Sequence, residues 1–223
     1  MIAEALARLE ALADPVKAAE MAAYHKISRP YLGVAVPQVE ELVAEWRAAL
    51  TVEERVALAG GLWESGIHEA MVAAAKLLTQ ARLRPDAAAW EMICGWVAGF
   101  QGWAVSDHAS IAAQKRLVAE PERIEDVAGW VSSPNMWTRR AALVVTLPYA
   151  KMNFPKDQDL AIRERALGWA ADYVADREWF IQKAVAWWLR DLSKHDAARV
   201  RVFLEGPGAG LKSFARKEAG KYL

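Results

Sequence analysis

Met136-Trp137-Thr138-Arg139-Arg140-Ala141-Ala142-Leu143 is followed by two stretches of the same design. They are Phe180-Ile181-Gln182-Lys183-Ala184-Val185-Ala186-Trp187 and Phe214-Ala215-Arg216-Lys217-Glu218-Ala219. Each sets a cation three residues after an aromatic (Trp137–Arg140, Phe180–Lys183, Phe214–Lys217), which on a helix puts both on one face. Arg140 to Lys183 is 43 positions and Lys183 to Lys217 is 34, near the periods of HEAT-like helical pairs. Repetition at that spacing predicts an all-α, HEAT-like (ARM/HEAT) superhelix. Its concave face would carry a cation from each unit, an arrangement suited to a polyanion.

The rest of the chain reads the same way. Ala and Leu dominate, and no segment alternates cleanly with period two, so strands are not expected. Thr51-Val52-Glu53-Glu54 is a capping box, and Pro15, Pro37, Pro85, Pro121 and Pro134 stand where a first-turn proline forfeits no hydrogen bond. The pattern predicts helices over 2–12, 14–26, 37–49, 52–65, 67–81, 85–99, 103–118, 121–131, 135–147, 157–175, 177–193, 196–204 and 210–221. Short helices on short loops stack as antiparallel pairs. No break separates domains, so 1–223 reads as a single repeat domain.

The chain has 223 residues, 54% of them hydrophobic, enough for a sizeable core. Formal charge is zero, with 28 basic and 28 acidic residues, which argues against a strongly nucleic-acid-binding surface. The balance is uneven: residues 177–223 hold 10 Lys/Arg and 5 Asp/Glu, and residues 1–176 hold 18 and 23. A basic C-terminal fifth favours a polyanionic partner. The lone cysteine, Cys94, excludes an internal disulfide and reads as inert core on an apolar helix face. Met1-Ile2-Ala3-Glu4 lacks the cations of a signal peptide, and no apolar run reaches the ~20 residues of a membrane span. A cytoplasmic monomer is the expectation.

Several machines are set aside. His68-Glu69 is followed by Val72 where a metalloprotease needs its second histidine, and His25, His68, His108 and His195 are scattered without cysteine partners. No metal is expected. Gly206-Pro207-Gly208-Ala209-Gly210-Leu211-Lys212-Ser213 misses a phosphate-binding loop, because Leu211 replaces a required glycine and no strand precedes it. It reads as a helix–helix turn, and no nucleotide cofactor is implied. What remains is aromatic, acidic and basic. Trp103 and Asp107 are four apart, and Lys183, Trp187 and Arg190 share one helix face.

These residues resemble the DNA alkylation repair glycosylases of the AlkD-like, HEAT-repeat type. Lys26 to Pro37, with Pro30-Tyr31-Leu32-Gly33-Val34, is similar to the family's N-terminal marker. Leu62-Trp63-Glu64 and the helix Glu69–Leu78 are similar to the middle one. The family's Trp-x-x-x-Asp corresponds to Trp103–Asp107 and its Trp-x-x-Arg to Trp137–Arg140. Phe180 to Ala184 matches its Phe-Ile-Gln-Lys-Ala segment letter for letter and leads to Trp187. The resemblance implies a monofunctional glycosylase that releases 3-methyladenine, 7-methylguanine and similar cationic purines from duplex DNA. In it Asp107 is the catalytic carboxylate, Trp103 and Trp187 face the cationic base and sugar, and Arg140 holds a phosphate. Lys183, Arg190 and Lys217 then contact the backbone, with Arg139 the weaker of the arginine pair by register.

Each residue also has a plainer reading. Trp103 is a packing indole, Asp107 a carboxylate in its helix's first turns, Arg140 a partner for a neighbouring acid, and Lys183 a solvated cation. Of Trp187 and Trp188, at most one faces outward. The chain departs from the family in lacking a second acid within Trp103-Ala104-Val105-Ser106-Asp107, and in its neutral charge. A catalytically silent HEAT-like module that binds DNA structures or a protein is therefore the alternative.

Overall fold

The computed structural model describes residues 1–223 and divides them into two compact units, Met1–Arg116 and Leu117–Leu223. Every regular element is helical. None of the helices is long and apolar enough to cross a membrane.

The first unit holds α1 (Ile2–Glu10), α2 (Pro15–His25), α3 (Val36–Ala49), α4 (Val52–Glu64), α5 (His68–Leu77), α6 (Ala87–Val97) and most of α7 (Trp103–Ala119). Helix starts follow local chemistry. The Asp14 carboxylate accepts the Val16 and Lys17 amides ahead of Pro15, closing donors that a helix N-terminus leaves open. Thr51 and Glu54 form the expected capping box, each side chain on the other's amide. α5 lies against both α3 and α4, and its fully buried Ala70, Ala73, Ala74 and Ala75 let both approach. Leu9, Leu58, Leu62, Leu77 and Ile93 complete the core. Trp63 stacks on Trp96 at 4.0 Å with 6° between planes. Cys94, expected in the core, is only partly buried.

The loop between α2 and α3 is the most tightly specified feature of this unit. The buried Glu69 carboxylate accepts the amides of Leu32 (2.9 Å), Gly33 (2.7 Å) and Val34 (3.3 Å). The His68 amide donates to the Pro30 carbonyl, and the Asp14 amide to that of Leu32. Gly33 has φ +79°, and a Cβ there would stand 2.2 Å from the Asp14 carbonyl oxygen. Only glycine satisfies both demands. α2 itself carries no buried residue and is fastened through its two ends.

The second unit holds α8 (Ile124–Ala128), α9 (Met136–Val145), α10 (Leu147–Ala150), α11 (Asp157–Asp172), α12 (Trp179–Ser193), α13 (Ala197–Glu205) and α14 (Ser213–Ala219). α12 is its hub, packed on α9, α10, α13 and α14. Trp188 is fully buried at its centre, its indole N–H donating to the Thr146 hydroxyl at 3.1 Å. Gln182, also fully buried, donates to the Asp176 carbonyl (2.8 Å) and accepts the Lys212 amide (2.9 Å), tying the approach to α12 to the start of α14.

Several boundaries differ from the sequence reading. Pro85 and Pro134 precede the capping residues Asp86 and Asn135 instead of opening the helices. The Asn135 side chain takes the Trp137 amide at 2.9 Å, a better start than proline offers. The segment expected as one helix over 135–147 breaks at Thr146, and a separate turn, α10, begins at Leu147 with Pro148 in its first turn. The segment over 121–131 is a 3-10 turn (Pro121–Arg123) followed by the short α8. The helix expected over 210–221 is shorter, α14, and follows a 3-10 turn over Pro207–Gly210.

Candidate functional site

In the first unit the candidate residues stand at the start of α7. Gly102 precedes it, with the end of the Ile27 side chain packed where a Cβ would stand, and the Ser106 hydroxyl turns back onto the Gly102 carbonyl at 2.8 Å. Trp103 opens the helix with 37% of its surface exposed. Asp107 follows one turn later on the same side, half-buried. Beneath Trp103 lies an aromatic cluster that sequence reasoning missed. The Trp103 ring is 5.6 Å from that of His25 and 6.2 Å, edge-on, from that of Tyr24. His25 stacks on His68 at 4.7 Å, and Tyr31 on His68 at 4.9 Å.

Both imidazoles are pushed toward their neutral form. Burial first, then the His25 and Arg29 charges, push His68 down to about 3. His25 is lowered by burial and then by Arg29. The wall beside Trp103 thus joins imidazoles that favour their neutral form to the Arg29 guanidinium next to them. His68 was considered in the sequence only as a metal ligand; its stacking partners lie on α2 and in the loop after it, so no local pattern marks it.

His108, beside Asp107, turns to a separate cleft of about 310 Å³ that it lines with Glu40, Arg47, Lys76 and Thr79. Burial, and then the Lys76 charge, lower His108 to about 4. Lys76 pairs with Glu40 at 2.6 Å.

In the second unit the expected backbone cations divide sharply. Lys183 and Lys217 are exposed. Arg139 bonds the Asp176 carboxylate through Nε (3.1 Å) and Nη2 (2.9 Å), and its Nη1 donates to the Ser133 carbonyl. Arg190 pairs with Glu218 at 2.7 Å. Arg140, expected at a phosphate, is buried (6% exposed) and donates from Nη1 to the Phe180 carbonyl at 3.0 Å. Its contacts bind α9 to α12, which the Trp-x-x-Arg spacing does not reveal.

Of the adjacent tryptophans, Trp188 is the packed one and Trp187 the partly open one. The Trp187 indole N–H donates to Asp191 at 2.9 Å, and Lys151 Nζ sits 5.9 Å from its ring centroid. Asp191 also pairs with Lys151 at 3.1 Å and Arg190 at 3.5 Å. A carboxylate so surrounded by donors is a structural acceptor.

A model of the DNA alkylation repair enzyme family matches residues 5–223. Among solved structures, the chain is similar to a predicted DNA alkylation repair enzyme from Enterococcus faecalis. Identity there is 22% over 95% of this chain and 96% of that one, with a TM-score of 0.78. It is also similar to AlkD2 from Streptococcus mutans, at 19% identity over 85% and 90% of the two chains, with a TM-score of 0.63. These likenesses show a shared helical-repeat fold. No curated protein matches significantly.

Proposed function

Since the chain belongs to the DNA alkylation repair enzyme family, we propose that it hydrolyses the N-glycosidic bond of cationic N-alkylated purines in duplex DNA. The observation that carries this reading is the pairing of a part-exposed indole, Trp103, with a half-buried carboxylate, Asp107, on the first turns of α7. An N-alkylated purine already bears positive charge. Its glycosidic bond breaks with both electrons passing to the base, which leaves neutral and needs no general acid. The sugar is left with oxocarbenium character. Asp107 stabilises that charge and orients the water whose oxygen bonds to the sugar carbon. The water's proton passes to the carboxylate or to solvent. Trp103 offers an electron-rich face to the cationic base, a contact of roughly 0.5–2 kcal/mol.

In the second unit, Trp187 has its ring fixed by Asp191 and serves as an aromatic face toward DNA. Lys183 and Lys217 serve as backbone contacts that position without reading sequence. Arg139, Arg140 and Arg190 reach DNA only from within the ion pairs and carbonyl contacts that hold them.

Wild type and Asp107→Asn are compared by incubation with methylated duplex DNA and measurement of free methylpurines. Release by wild type that is lost in the variant is the expected result. Equal background release from both would sink the enzymatic reading and leave the silent DNA-structure-binding module.

A further inference from the structure

The start of α12 and the start of α14 together carry an aromatic surface that the reaction above does not use. Trp179 and Phe214 stack at 3.9 Å between centroids, 29° between planes. Phe214 covers one face of the indole, yet Trp179 keeps half its surface exposed (50%). The exposed part is therefore its opposite face and edge. A large apolar ring held flat and left open is costly in water unless something covers it.

The surroundings define what fits. Lys183, one turn after Trp179, holds its Nζ 6.0 Å from the indole centroid. Lys217, three residues after Phe214 on α14, is exposed on that helix's same side. Arg177 is exposed, and Lys212 donates to its carbonyl. Glu178 is the one acidic residue in the stretches 177–183 and 212–217, against five Lys and Arg. The patch thus combines a flat π-face with point cations at its rim. That is the chemistry of a nucleobase with its flanking phosphates, whereas an apolar peptide would find its backbone ringed by unpaired ammonium groups.

We propose that Trp179, backed by Phe214, is a stacking platform for one unpaired base of the DNA, with Lys183 and Lys217 taking the phosphates on either side. This rests on the reading of DNA as substrate. A paired base has both faces covered by its neighbours, so only a base outside the stack can lie on the indole. The Lys183 ammonium moves from ring to phosphate at little cost, because a cation–π contact at an exposed site is weak.

The test uses unmethylated DNA, so it requires no base release. A duplex carrying 2-aminopurine as a single-base bulge is titrated with wild type and with Trp179→Ala, beside a fully paired duplex of the same sequence. Stacking is worth roughly 1–3 kcal/mol per base. Wild type should therefore quench 2-aminopurine and bind the bulged duplex on the order of tenfold tighter than the variant does, while both bind paired duplex alike. Trp179→Phe should recover part of the difference. Three results would overturn the platform: no preference of wild type for the bulge, equal binding of the bulge by wild type and Trp179→Ala, or equal losses on both duplexes. The first two would point to a protein as the occupant instead. Methylpurine release by wild type beside any of these would leave the glycosylase reading standing and remove the platform alone.

Discussion

The indole N–H of Trp187 donates to the Asp191 carboxylate at 2.9 Å, one turn along α12. The pair repeats the Trp-x-x-x-Asp spacing of Trp103–Asp107 at the start of α7. The surroundings of the two carboxylates differ. Asp191 is buried and also holds Lys151 and Arg190, whereas Asp107 is only half-buried near an exposed indole.

Replacing Asp191 by Ala leaves a part-buried indole N–H without its acceptor. It also removes the anion between Lys151 and Arg190. Stability should fall by about 1–3 kcal/mol, seen as a lower urea midpoint with an unchanged slope. Asp191→Asn keeps an oxygen for the indole and should fall by less. An Ala variant as stable as wild type would refute the role of Asp191 as a clamp on Trp187.

Arg140→Lys should lower stability by roughly 1–2 kcal/mol, because an ammonium cannot reproduce a planar fork buried against the Phe180 carbonyl. For a domain of this size that is a fall in Tm of several degrees. Thermal unfolding, measured alongside methylpurine release well below Tm, separates this structural loss from any loss at DNA.

Gly33→Ala must force a Cβ against the Asp14 carbonyl at a positive φ. Glu69→Gln turns one of its two acceptor oxygens into a donor facing backbone amides. Each should cost on the order of 2–3 kcal/mol. The two losses should not add, since both free the same loop. Denaturant titration of the single and double variants tests this.

Stability should decline as pH falls below about 6.5. His68 is lowered to about 3 and His108 to about 4. Between 6.5 and those values the unfolded chain binds protons that the folded chain refuses. That term is fully favourable above 6.5 and weakens by up to about 1.4 kcal/mol per pH unit for each histidine. The decline from these groups levels off near pH 3–4. His108→Gln should give a shallower slope than wild type in urea midpoints measured from pH 7 to 4.5. Parallel slopes would contradict a buried neutral His108.

The helical class was legible because its determinants are local. The Thr51–Glu54 box, the Asp14-Pro15 start and the short apolar helices each declare themselves within a few residues. Trp103 and Asp107 could be put on one face by counting four along a helix. The acidic partners of Arg139 and Arg190, and the carbonyl under Arg140, lie 28 to 40 positions away. No periodicity distinguishes a cation that faces solvent from one that meets a distant carboxylate. The same holds for His25, Tyr31 and His68, whose stacking is decided by how α2, the following loop and α5 meet. Gln182 stood inside a recognised segment, yet its role in joining the approach to α12 to α14 follows from backbone groups that sequence patterns do not encode.

α2 is fixed at its ends and contributes no buried residue of its own. A helix so attached has little apolar contact to lose when it opens, so its opening is uncoupled from global unfolding. Its amides from about residue 19 to 24 should take up deuterium long before those of α5, whose interior residues are almost all buried. Substitutions along its outward side should shift stability by only about 0.5 kcal/mol. Within the first unit, α2 is thus the element with the most freedom to change its side chains, while Asp14, His25 and Gly33 keep it in register.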